Sequence, residues 1–156
     1  MRISLLLALV LAVLAAIHAY PAGARAETPP PWPRGVFGNV TYSEESGDLG
    51  GFEVRFSDEG GVVIAEHVFC EGWCNQLYRS PVRRDGESVV FSATEKLFHG
   101  DGKVTGHAVT YRLSVAGKGL KLQIWYDGRP VVADAMLDPL PKAFGLEVAE
   151  EAMRSD

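Results

Sequence analysis

KVTGHAVTYRLSVAGKGLKLQIWY, residues 103–126, decides the fold. Its apolar residues recur at every second position, the period of a strand whose side chains point alternately to opposite faces. His107, Val109, Tyr111, Leu113 and Val115 share one face of a strand over 103–115, and Leu120, Leu122, Ile124 and Tyr126 share one face of a second over 120–126. Ala116-Gly117-Lys118-Gly119 between them is too short for anything but a turn, so the two strands form an antiparallel hairpin.

The rhythm extends outward from this hairpin. Segments 35–43, 51–56, 62–70, 76–84 and 88–95 read as strands before it, and 131–137 after it. Val36, Val40 and Tyr42 share a face with Gly38. Phe52, Val54 and Phe56 face inward while Glu53 and Arg55 face outward. Segment 62–70 is apolar on both faces, and Val131, Ala133, Ala135 and Leu137 lie together. Pro81 removes a ladder donor from 76–84, so part of that strand is expected at an edge or a bulge. SDEGG at 57–61 is a turn, and Asp85-Gly86 and Asp127-Gly128 are two-residue hairpin signals,. Two prolines in Asp138-Pro139-Leu140-Pro141 are expected to end the sheet, and 144–153 carries the pattern of a short amphipathic helix. The fold class is therefore all-β: about eight strands in an antiparallel up-and-down meander closing into a small barrel, with a short C-terminal helix. Closure removes exposed edges; a β-sandwich is the alternative.

Ahead of the strands, Met1-Arg2 and an apolar run over 3–17 lead to Ala22-Gly23-Ala24 and Ala24-Arg25-Ala26. This is the pattern of a secretory signal peptide over 1–26, cleaved after Ala24 or Ala26; the run is too short for a membrane span. Periplasmic or secreted localisation is expected, with no membrane span after cleavage. Cleavage after Ala26 leaves 130 residues, in which thirteen Lys and Arg stand against twenty Asp and Glu, a net charge of −7. That balance argues against nucleic acid as a partner. Segment 27–34, with four prolines, reads as an extended lead-in in which Trp32 is placed to pack over one end of the fold,. The domain itself is expected over 35–141, with 142–156 as helix and tail.

In a meander the connections alternate between two ends. Segments 57–61, 85–86 and 116–119 are compact turns at one end; 44–50, 71–75, 96–102 and 127–129 fall at the other. Turns need Gly, Asp and Asn for backbone reasons, but they do not need Trp73, Phe98 or His99. The second end is thus the candidate mouth, a common ligand site in barrels. Trp73, Phe98, His99, His107 and Tyr111 are the candidate ligand-binding residues.

Cys70 and Cys74 are the chain's two cysteines, and in an exported protein they are expected to pair, positioning Trp73,. A metal centre at His67, Cys70 and Cys74 is disfavoured because His67 and Cys70 point to opposite faces of a strand; no metal and no cofactor are expected. No Ser or Cys nucleophile stands in a recognised motif, so no catalytic residue is assigned. Glu44, Glu45 and Asp48 read as a turn rather than a calcium loop, and Arg79, Arg83 and Arg84 as guards of an edge strand.

The architecture resembles the small exported β-barrels, including lipocalin-like and avidin-like binders and barrel-shaped bacterial enzyme inhibitors. A lipocalin G-x-W signature is absent, since Gly35 is followed two positions on by Phe37. That resemblance is one of fold and carries little about function; the mouth residues themselves lead to the expectation of a non-enzymatic binding protein taking a small apolar or amphipathic ligand there. The alternative is an inhibitor or interaction module for a secreted enzyme or cell-wall component, with the proline-rich arm and the Cys70–Cys74 loop as its contact surface.

Overall fold

A computed structural model describes residues 31–155 apart from 99 and 101, and the backbone alone at 97, 98 and 133. The signal segment 1–26, residues 27–30 of the lead-in and His99 lie outside the described residues. Ten strands are present among the described residues: β1 (Gly35–Gly38), β2 (Thr41–Tyr42), β3 (Leu49–Glu59), β4 (Val62–Gly72), β5 (Tyr78–Pro81), β6 (Arg83–Asp85), β7 (Ser88–Phe98), β8 (Val104–Ala116), β9 (Gly119–Tyr126) and β10 (Arg129–Leu140). A helix, α1 (Gly145–Ser155), follows. The strands form one antiparallel sheet in the order β5-β4-β3-β1-β10-β9-β8-β7-β6, with β2 paired to β3. The sheet curls into a nearly closed barrel.

The two extra strands have local causes. The expected strand 35–43 breaks after Gly38, where the Asn39 side chain takes over pairing and accepts the Phe52 N–H through Oδ1 at 2.8 Å. The expected strand 76–84 splits around Val82: β5 pairs with β4 and β6 with β7. Pro81 stands at the last β5 position, as its missing N–H dictates. β5 and β6 are thus the two ends of the sheet yet adjacent in the chain. Across the seam, side chains of the β5 segment engage the β7 backbone. Ser80 Oγ donates to Ser92 O at 2.9 Å, Gln76 Nε2 to Lys96 O at 3.1 Å, and Lys96 N to Tyr78 Oη at 3.2 Å.

Strand 131–137 is corrected in two respects. Asp134 adopts a φ of 66°, and the β9–β10 register shifts between Val132 and Ala135. Lys121 and Gln123 hold the Asp134 carboxylate at this bulge. Alternation breaks there, so Val131 is exposed while Val132 packs on the core. The prolines do not end the sheet at Asp138 either: Asp138, Pro139 and Leu140 pair with Gly38, Phe37 and Val36 of β1. β9 has already ended opposite Leu137, so that stretch has a partner on one side only and tolerates a residue without an N–H.

In β3, β4, β7, β8 and β9 the inward side chains alternate as expected and fill the barrel, except that Val115 at the end of β8 is exposed; in β1 it is Phe37 that faces in, while Val36 and Val40 pack outside. Phe52, His67, Phe91 and Tyr111 form an aromatic pile at its centre, each at most 2 % exposed. Ring centroids are 5.2 Å apart for Phe52–Tyr111, 5.0 Å for Phe91–Tyr111 and 4.6 Å for His67–Tyr111. Such contacts add to the stabilisation from area burial alone. At the far end Trp32 packs on the core, with the Arg84 guanidinium 4.2 Å above its ring.

The two apolar faces of β4 are explained by α1. Ala65 and His67 face inward, whereas Val68 and Cys70 face outward and are covered by Ala143, Leu146 and Ala149. Glu53 faces outward as expected, but the helix buries it completely. Its carboxylate accepts the N–H groups of Phe144, Gly145 and Leu146 at 3.0–3.3 Å, satisfying donors that a helix start leaves unpaired. The negative charge also complements the helix dipole. Gly145 is required by the close approach: a Cβ there would lie 3.1 Å from Val40 Cγ2. Arg55 joins Glu66 at 2.7 Å and Glu150 of α1 at 2.9 Å, a second tie between sheet and helix.

Two outcomes are expected. Glu53→Ala strands two buried N–H groups and one partly buried one and should cost about 2–4 kcal/mol in urea unfolding; a loss below about 0.5 kcal/mol would contradict the capping role. Burial pulls the His67 pKa from 6.5 down to about 3, with a backbone interaction at Ala65 opposing it. The folded pKa lies below the unfolded one, so the unfolded chain binds the extra proton and stability falls as pH drops from about 6.5 towards 3. The wild type should lose about 1.4 kcal/mol per pH unit more than His67→Phe between pH 6 and 4. Parallel stability–pH curves would refute this.

Candidate functional site

The β-ladder registers Leu49↔Gly72, Phe98↔Val104 and Arg129↔Tyr126 put the connections 43–48, 73–77 and 127–128, and the β7 and β8 ends at Phe98 and Val104, at one end of the barrel. This is the end at which loop chemistry set the candidate mouth. Asp127 and Gly128 have φ of 46° and 78°, the paired positive values of the tight hairpin that their sequence signals.

Cys70 and Cys74 are joined in a disulfide. Their sulfurs point away from the barrel interior into the cluster beneath α1, whereas His67 points inward. The three side chains therefore do not converge. The bridge fastens the end of β4 to the helix-covered wall, and the intervening segment turns at Gly72 to present Trp73 at the mouth. Trp73 is half exposed and bridges back to Glu71.

Beside Trp73 lies a cleft of about 210 Å3 lined by Phe69, Glu71, Trp73, Asn75, Gln76, Tyr78, Glu95, Lys96 and Tyr126. Four of these residues are aromatic. Tyr78 forms the link to the core, its ring stacked on His67 at 5.5 Å. Glu95 shares the inward face of β7 with Val89, Phe91 and Ala93, and is only 6 % exposed. Its Oε2 accepts the Tyr126 hydroxyl at 2.7 Å; its Oε1 is buried without a hydrogen-bond partner among the described residues. Burial raises the Glu95 pKa, and the Tyr126 hydrogen bond opposes that rise. Burial and the Glu95 interaction together hold the Tyr126 hydroxyl well above its usual range.

His107 sits on the rim, directly opposite Glu95 in the β7–β8 register. Its Nδ1 lies 2.8 Å from Asp127 Oδ2 and its Nε2 3.1 Å from Thr105 Oγ1. Hydrogen bonds from His107 and from Ala108 N hold the Asp127 carboxyl below its ordinary pKa. This string of acid, imidazole and hydroxyl stands on the rim and does not line the cleft.

Of the expected contacts, then, Trp73 lines the cleft and His107 stands beside it. Tyr111 is corrected: it is fully buried in the aromatic pile and has no surface to offer a ligand. Phe98 closes β7 with only its backbone described, and His99 lies outside the described residues. Glu95, Tyr78 and Tyr126 were missed as site residues, although a carboxylate at an apolar position of β7 is visible in the sequence. The arginines serve separate partners: Arg79 pairs with Glu59 and Glu66, while Arg84 covers Trp32. The 43–48 connection is a turn closed on itself by Ser43 N to Asp48 O at 2.8 Å.

No protein family, characterised protein or solved structure matches the chain.

Removing the Tyr126 hydroxyl should leave both Glu95 oxygens unpaired and raise the Glu95 pKa further. An NMR titration of the Glu95 side-chain carboxyl in Tyr126→Phe reads this directly; an unchanged or lowered midpoint would show that the hydroxyl does not stabilise the carboxylate.

Proposed function

We propose that the protein is an exported, non-enzymatic binding protein whose mouth cleft holds a small amphipathic ligand. The observation that carries this reading is the cleft itself: four aromatic side chains and one buried carboxylate converge at the open end of a barrel whose centre is packed. Pockets of this kind combine apolar walls with few polar groups that orient the ligand. The filled centre overturns the expectation of a ligand inside the barrel near His107 and Tyr111, so the reading rests on the mouth cleft alone. Export is supported by the 1–26 sequence pattern, and suits the disulfide. No helix among the described residues is long and apolar enough to cross a membrane.

The inhibitor reading called on the proline-rich arm and the Cys70–Cys74 loop as one surface. Trp32, Pro33 and Arg34 lie with Phe56, Asp58 and Val63, at the end of the barrel opposite the disulfide. Those described residues of the arm do not share a face with the loop, which favours the cleft.

Native mass spectrometry of the protein recovered from its own export compartment tests the proposal. Expected are a mass beginning after Ala24 or Ala26, an intact disulfide and a small bound molecule. Trp73→Ala should lower occupancy at least tenfold with the fold unchanged. Retention of the uncleaved segment, or a ligand indifferent to Trp73, would count against it.

A further inference from the structure

We infer that the mouth cleft selects an organic cation, an ammonium head group seated against Glu95 between Trp73, Tyr78 and Tyr126. This rests on the mouth-cleft reading and specifies its ligand class.

Three observations converge. First, Glu95 is 6 % exposed, and one of its oxygens is buried without a partner among the described residues. A buried acceptor left unsatisfied is costly, and a donor arriving with the ligand relieves that cost. Second, the remaining oxygen is held by the Tyr126 hydroxyl at 2.7 Å. That proton is already donated to the carboxylate, so Glu95 is set up to accept, and Oε1 is the acceptor on offer. Third, the walls are aromatic: Phe69, Trp73, Tyr78 and Tyr126. Aromatic faces attract a cation and give nothing comparable to an anion.

Charge points the same way. The lining has two carboxylates, Glu71 and Glu95, against one lysine, Lys96. The buried ionisable group is the Glu95 carboxyl, whereas Lys96 is exposed. The volume of about 210 Å3 suits a head group with a short apolar appendage rather than a long-chain ligand,.

The test uses three probes of similar shape and different charge: phenethylammonium, 2-phenylethanol and 3-phenylpropionate. Calorimetry on the disulfide-intact protein gives affinities, and shifts of the Trp73 indole N–H locate the site. Phenethylammonium should bind at least tenfold more tightly than the alcohol, and the propionate more weakly than both. Glu95→Gln, which keeps the side-chain shape, should remove most of the preference for the cation. Should that variant fail to fold, the order of the three probes on the wild type still decides. Equal affinity for cation and alcohol, or a preference for the propionate, overturns the inference while leaving the cleft as a binding site. Failure of all three to shift the Trp73 indole overturns both.

Discussion

One buried carboxylate organises the outer wall of this barrel. Glu53 lies on the outward face of a central strand, where solvent would normally meet it, and instead receives the start of α1. A carboxylate taken out of water must be hydrogen-bonded, and a helix start must have its N–H groups satisfied. Each meets the other's need. The rest of the wall follows from that contact. Gly145 is small because the helix begins against Val40 and Val68. β4 is apolar on both faces because α1 covers one of them. The disulfide sulfurs are buried because they lie under the same helix.

The inner side has a different logic. A sheet of this size closes best when every strand pairs on both edges, and here closure stops short at the kinked β5–β6 segment. Tyr78, Gln76 and Ser80 satisfy the β7 backbone with side chains instead of a ladder. That substitution leaves space at the upper end of the seam, where the cleft is found. The inward face of β7 carries a glutamate at the level where the packed interior gives way to the mouth. The irregular seam and the polar site thus occur together.

Much of this was legible in residues 35–140. Alternation identified the strands, Asp127-Gly128 the hairpin, Pro81 the break, and aromatic content the end of the barrel that holds the cleft. What stayed hidden depended on neighbours distant in sequence. Glu53 has the correct outward parity, yet nothing local announces that a helix ninety residues later buries it. Asp134 looks like an ordinary strand position until its left-handed backbone shifts the register of β10. Pro139 reads as a stop and is tolerated because β9 ends before reaching it. Tyr111 looked available because strand parity says inward without saying whether the interior is packed. Trp73 was recognisable as too large for a turn. Glu95 was overlooked because a lone acid at the end of an apolar strand pattern resembles a strand terminus.

The pairing of β1 with β10 reaches beyond the folded state. Val36 meets Leu140, so strands from opposite ends of the domain must find each other before the sheet can curl shut. Contacts of such large sequence separation are slow to form. A chain emerging from the ribosome carries β1 to β9 with no closing strand available, and the Glu53 carboxylate with no helix to receive. The barrel therefore stays open until β10 and α1, residues 129–155, have been made,. For the export proposed above, such late closure keeps the chain unfolded, and so available for transport, until its synthesis is nearly complete.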